Sequence, residues 1–90
     1  MSERRDKFRI IYDMLCSIKD KGGRIKPTHL MYKANLSHSK MQIYLKELTV
    51  KSMVEEEETK DGKRYKITDE GIKLINEYKK IKEFTDSFGF

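Results

Sequence analysis

The sequence predicts a small, mainly helical α+β domain with one β-hairpin and a long C-terminal helix. Three observations carry that class. Apolar residues recur at spacings of three and four in three separate segments. The pair Asp61-Gly62 supplies a strong hairpin-turn signal between the third and fourth helical segments. Finally, 90 residues suffice for one small domain, or one domain with an appended helix.

In the first segment, Phe8, Ile11, Leu15 and Ile18 form a helical stripe that Ile10, Met14 and Cys16 widen. Gly22-Gly23 ends it, so helix one is expected from about Arg4 to Asp20. Pro27 suits the first turn of a second helix, where its missing N–H is not needed. Leu30 and Met31 give that helix a short apolar face, and Asn35 suits a left-handed stop after about Ala34.

Ser37 is a good N-cap for a third helix, expected from about His38 to Lys51. Met41, Leu45 and Leu48 make its inner face, with Tyr44 beside them. His38, Ser39, Lys40, Gln42, Ile43 and Lys46 fall on the other side.

A hairpin follows over about 53–68. With Asp61-Gly62 as its loop, Lys60 pairs with Lys63 and Glu57 lies opposite Lys66, while Val54 and Ile67 share a face that covers the helices. Thr68 then caps the last helix, from Asp69 to Phe84 or beyond, with Asp69 and Glu70 suited to its positive end. Ile72 and Ile75 are placed to close the core. Leu74, Tyr78, Ile81, Thr85 and Phe88 repeat with the spacing of a coiled-coil seam, which points to a homodimer. The expected division is residues 1–68 as the main domain and 69–90 as a dimerisation helix.

Charge is unevenly spread. Residues 1–54 carry 12 Lys and Arg against 5 Asp and Glu, whereas residues 55–90 carry 8 against 10. A basic front half is the footprint expected for an acidic partner such as double-stranded DNA. Against it stands the run Glu55-Glu56-Glu57-Glu58, whose charges alternate between the two faces of a strand.

Other classes find little support. Cys16 is the sole cysteine, so there is no internal disulfide framework. It lies within an apolar stripe, where a core thiol is expected rather than a reactive one. His29 and His38 have no zinc-site spacing, and no phosphate loop, nucleophile elbow or carboxylate–histidine set is present. Neither an enzyme, a cofactor, a metal nor a small-molecule substrate is expected. No apolar run approaches a membrane span and the N-terminus lacks a signal-peptide core, so an intracellular, cytoplasmic location is expected.

Two short helices joined by the tight "ANLS" turn make a helix-turn-helix, and a hairpin directly after the second is a wing. Leu36, Ser37, Met41, Leu45, Leu48, Met53 and Val54 match the recognition-helix pattern of winged helix-turn-helix proteins. Ile67-Thr68-Asp69-Glu70-Gly71 resembles the Leu-Thr-x-x-Gly entry to the last helix. With its long terminal helix, the chain is similar over roughly residues 5–85 to the archaeal "10a" chromatin-associated DNA-binding proteins and related archaeal transcriptional regulators. The resemblance implies that helix three enters the major groove, that the wing tip meets the backbone or minor groove, and that the terminal helix pairs with its copy. Two residues depart from the pattern. Ser52 stands where the family usually has glycine, and Ile43 where many relatives place a polar or basic DNA-facing side chain.

The candidate DNA-binding residues are therefore Ser37, His38, Ser39, Lys40, Gln42, Ile43 and Lys46 on helix three, with Lys60, Lys63 and Arg64 at the hairpin tip. Gln42 suits an adenine edge and the lysines suit phosphates. Arg4, Arg5, Lys7 and Arg9 form a basic arm that either tracks a DNA backbone or serves as ordinary surface charge. The alternative function is a winged-helix protein–protein module of the transcription machinery, favoured by Ile43 and the acidic strand.

Overall fold

The chain begins with a capped helix. In the computed structural model, which describes residues 5–89, α1 spans Lys7–Asp20. It starts later than expected because the Asp6 carboxylate accepts the Arg9 N–H at 2.8 Å and so fixes the first turn. A short strand, β1 (Arg24–Ile25), was not expected from the sequence. It is followed by α2 (Pro27–Lys33) and α3 (His38–Val50). Strands β2 (Val54–Thr59) and β3 (Gly62–Ile67) form the hairpin, and α4 (Asp69–Ser87) closes the chain.

The caps follow the sequence signals. Ser37 Oγ accepts the Lys40 N–H and Thr68 Oγ1 accepts the Gly71 N–H, both at 3.2 Å. Asn35 is left-handed, with φ 56°, and turns the chain sharply from α2 into α3. Ser52 also takes a positive φ of 60°, in the conformation glycine adopts without strain. It is held there by two flanking hydrogen bonds, Ser52 N–H to Thr49 O and Met53 N–H to Leu48 O.

The three strands are antiparallel in the order β1-β3-β2. The hairpin register differs from the expected one. Thr59 pairs with Gly62, Glu58 with Lys63, Glu57 with Arg64 and Glu55 with Lys66. The loop is thus Lys60-Asp61, and neither residue has a positive φ; Gly62 alone does, at 110°. A type I′ turn needs two positive φ values, whereas a type I turn closed by a left-handed glycine needs only one. Thr59 reinforces this choice, since its hydroxyl accepts the Asp61 N–H at 3.2 Å and donates to Gly62 O at 2.7 Å.

The core gathers one face from every element: Ile10, Met14, Leu15 and Ile18 of α1, Leu30 of α2, Met41, Leu45 and Leu48 of α3, and Ile75 of α4. Ile25, Val54, Tyr65 and Ile67 cover it from the sheet, while Ile72 packs at its margin. Each buried aliphatic side chain contributes about 1.5–3 kcal/mol. Phe8 departs from the expected stripe, being 62% exposed, because the stripe runs past the end of the core toward α4. Gly71 marks the closest approach of α4 to the sheet. An added Cβ there would lie 2.5 Å from Met53 O and 2.7 Å from Ile67 Cγ1.

Candidate nucleic-acid interface

The turn between α2 and α3 is locked from outside. Arg5 donates to the Asp13 carboxylate at 3.0 Å and to the carbonyls of Ala34 and Asn35, each at 2.8 Å. Lys7 pairs with Glu47 of α3 at 2.8 Å, and Arg9 with Asp13 at 3.1 Å. Arg5 and Lys7 therefore fasten the start of α1 to the helix pair, whereas the Arg9 pair with Asp13 lies within α1, and Arg4 lies outside the described residues.

With Met41, Leu45 and Leu48 buried, the opposite side of α3 faces solvent. Ser39, Ile43, Lys46 and Val50 form the crest of that outer face, flanked by Lys40 and Gln42. Lys40 and Lys46 make no ion pair among the described residues. Glu47, the only carboxylate of α3, is held by Lys7. His38 is exposed at the first helical position, whereas the Ser37 oxygen is committed to its cap.

The three candidate residues of the hairpin tip diverge. Lys60 sits exposed in the loop itself. Lys63 and Arg64 are consecutive in a strand and so point to opposite faces. Lys63 meets the Glu56 carboxylate at 3.3 Å, on the side where Tyr65 donates its hydroxyl to the same carboxylate, also at 3.3 Å. That carboxylate holds the Lys63 ammonium above its usual pKa. Burial, aided by the Glu56 charge, raises Tyr65 likewise. An open groove lies between α3 and this side of the hairpin, lined by Ile43, Lys46, Val50, Glu56 and Tyr65 among others.

Arg64 turns instead toward a basic cleft shared with Lys21, Arg24, Lys26 and His29. Its Nε is buried without a hydrogen-bond partner among the described residues, and its terminal nitrogen is 3.9 Å from Asp61. The sequence reading missed this cluster because it rests on β1, a strand too short to show a period. Its trace in sequence is the alternation Arg24-Ile25-Lys26, two cations flanking one buried residue. Glu57, expected opposite Lys66, pairs with Arg24 Nε at 2.9 Å; the altered register sets it beside Arg64, within reach of β1.

The expected seam of α4 is split between two environments. Tyr78 stacks on Tyr12 of α1, with ring centroids 4.5 Å apart, and Leu74 packs at the edge of the core. Ile81 and Phe88 are 65% and 64% exposed, whereas Thr85 is half-buried and donates to Lys82 O. Phe84, which lies off the heptad positions, is equally exposed and tilts against Phe88 at 4.9 Å. With Phe8 they leave an apolar strip along the outer side of α1 and α4.

Cys16 is half-buried beside Tyr12, and burial pushes its thiol upward. No cluster of three or more potential metal ligands occurs among the described residues. Likewise, no described helix is long and apolar enough to cross a membrane.

A family model described as winged helix-turn-helix matches residues 4–86. No curated protein matches the sequence. Among solved structures, the chain is similar to Sso10a-2, a DNA-binding protein from Sulfolobus solfataricus. The identity is 28% and the TM-score 0.76, over 92% of this chain and 87% of that one. It is also similar to F93 from STIV, a winged-helix DNA-binding protein, at 22% identity and TM-score 0.72, over 78% and 83% of the two chains. A mutant MarR from E. coli, complexed with operator DNA, shares the fold at 23% identity and TM-score 0.67, over 74% of this chain and 49% of that one.

Proposed function

The chain belongs to the winged helix-turn-helix family, and on that premise we propose that it binds double-stranded DNA as a homodimer, with α3 in the major groove. The observation that carries this reading is the outer face of α3. It combines exposed hydrogen-bonding side chains with two lysines that make no ion pair among the described residues, and its one carboxylate is neutralised. A groove-entering helix needs this pattern, because phosphates attract the cations while base edges meet Ser39, Gln42 and Ile43. Lys60 at the hairpin tip adds a further phosphate contact. The role is that of a transcriptional regulator or chromatin-associated factor, acting by binding and not by catalysis, at the nucleoid.

Dimerisation is supported by the apolar strip of Phe8, Ile81, Phe84 and Phe88, whose burial against a second α4 would remove large exposed side chains from water. Ile81→Asp should give a monomer by light scattering with its helical spectrum intact. A wild-type monomer at tens of micromolar contradicts the seam.

A second reading, a protein-docking module, draws on the exposure of Ile43 and Val50. The exposed lysines beside them favour a polyanion instead. Replacing Lys40 and Lys46 together by Gln tests the choice: DNA affinity should fall while the fold persists. Undiminished affinity would remove α3 from the interface. Selection of bound sites from random DNA then separates the two roles, an enriched palindrome marking a regulator and uniform recovery a chromatin protein.

A further inference from the structure

We infer that Ile43 reads the 5-methyl group of thymine, giving this protein an apolar base contact at the centre of its recognition helix. The inference rests on the DNA-binding reading above and names what the middle of that face recognises.

Ile43 follows Met41, a fully buried residue, by two positions, about 200° around the helix axis. It therefore stands on the crest of α3, 65% exposed. The inner face of the helix is filled by Met41, Leu45 and Leu48, and among the described residues Ile43 lies outside the core cluster. Its setting is cationic: Lys46 adjoins it on the crest, Lys40 and Gln42 flank it, and Lys7 neutralises Glu47. A duplex approaching this face meets no unpaired carboxylate on the helix.

An aliphatic side chain gains nothing from the donors and acceptors of base edges. The apolar group that the major groove displays is the thymine methyl. Closing Ile43 onto that methyl removes both from water, whereas a methyl-free pyrimidine leaves the side chain against a polar edge. Val50 shares the crest but ends the helix, about 10 Å farther along. The earlier residues of a recognition helix reach the base edges, which singles out Ile43.

The test compares a mixed-sequence duplex with the same duplex carrying deoxyuridine in place of every thymidine, a change that deletes only methyl groups. Affinities of the full chain and of Ile43→Ala are measured at low salt, with circular dichroism confirming that the variant folds. The wild type should prefer the thymine duplex about fourfold per methyl contacted, the effect of burying one CH2-sized group. Ile43→Ala should bind both duplexes equally. Equal binding of the two duplexes by the wild type overturns the methyl reading and leaves DNA binding intact. A thymine preference that survives in Ile43→Ala also overturns it, since another residue then senses the methyl. Absence of binding to either duplex overturns the DNA reading, and this inference with it.

Discussion

The carboxylate of Glu56 and the ammonium of Lys63 face one another at 3.3 Å across the hairpin, on the side that looks toward α3. One of the cations expected to grip phosphate is thereby occupied within the wing. Glu58 lies on the same face of β2 and makes no ion pair among the described residues. Replacing Glu56 and Glu58 with Gln frees Lys63 and removes two negative charges beside the groove. DNA affinity should rise, and the log affinity against log salt plot should steepen by about 0.9 for the released lysine. Unchanged affinity would place the hairpin stem away from phosphate.

Arg5 binds Asp13 and the two carbonyls that end α2. Its removal leaves the half-buried Ala34 carbonyl without this charged donor, while Asp13 keeps Arg9 and the Asn35 carbonyl is open to water, at a cost of about 2 kcal/mol. Arg5→Ala should lower the urea midpoint accordingly. Arg5→Lys should recover only part of the loss, because an ammonium cannot span both carbonyls with a planar fork. A variant as stable as the wild type would return Arg5 to the role of surface charge.

Gly71→Ala should destabilise by about 1–3 kcal/mol, since its Cβ would intrude on the Met53 carbonyl and the Ile67 side chain. Equilibrium unfolding measures this directly. Stability equal to the wild type would mean that α4 and the sheet separate without penalty.

The legible parts of this molecule are those set by local physics. Helix periods gave α1, α3 and α4 through residues such as Leu15, Leu45 and Ile75, and the caps at Ser37 and Thr68 placed two helix starts. Asn35 announced the sharp turn because few other side chains tolerate its φ. What stayed hidden depends on partners distant in sequence. β1 exists only because β3 lies beside it, and with it came the pairing of Arg24 with Glu57. The hairpin register turned on whether Lys60 or Gly62 would join Asp61 in the loop, and the Thr59 hydroxyl favours Lys60. Lys63 and Arg64 read as one basic tip in sequence, yet strand alternation sends them to different faces. Arg5, Lys7 and Arg9 read in sequence as ordinary surface charge somewhat more than as a DNA-tracking arm, and neither reading named the internal partners that hold them.

Alkaline pH should weaken the fold in a defined direction. Burial first, then the Glu56 charge, raises Tyr65 above its ordinary value of 10.0, and the same carboxylate raises Lys63 above 10.5. Both groups hold their protons more tightly folded than unfolded. Their contribution is therefore complete below those ordinary values and is lost as pH climbs through the raised ones. The urea midpoint should fall above pH 10.0, and Tyr65→Phe should flatten that fall. An identical pH profile for the variant would remove Tyr65 as a source.

The central claim, that the outer face of α3 and the hairpin tip engage a phosphate backbone, is tested most directly by DNA affinity across a salt series. Lys40, Lys46 and Lys60 are exposed and unpaired among the described residues. With each neutralised phosphate contributing about −0.9, they predict a slope of about −2.7 for every bound subunit. A slope near zero, or no binding at low salt, would contradict it.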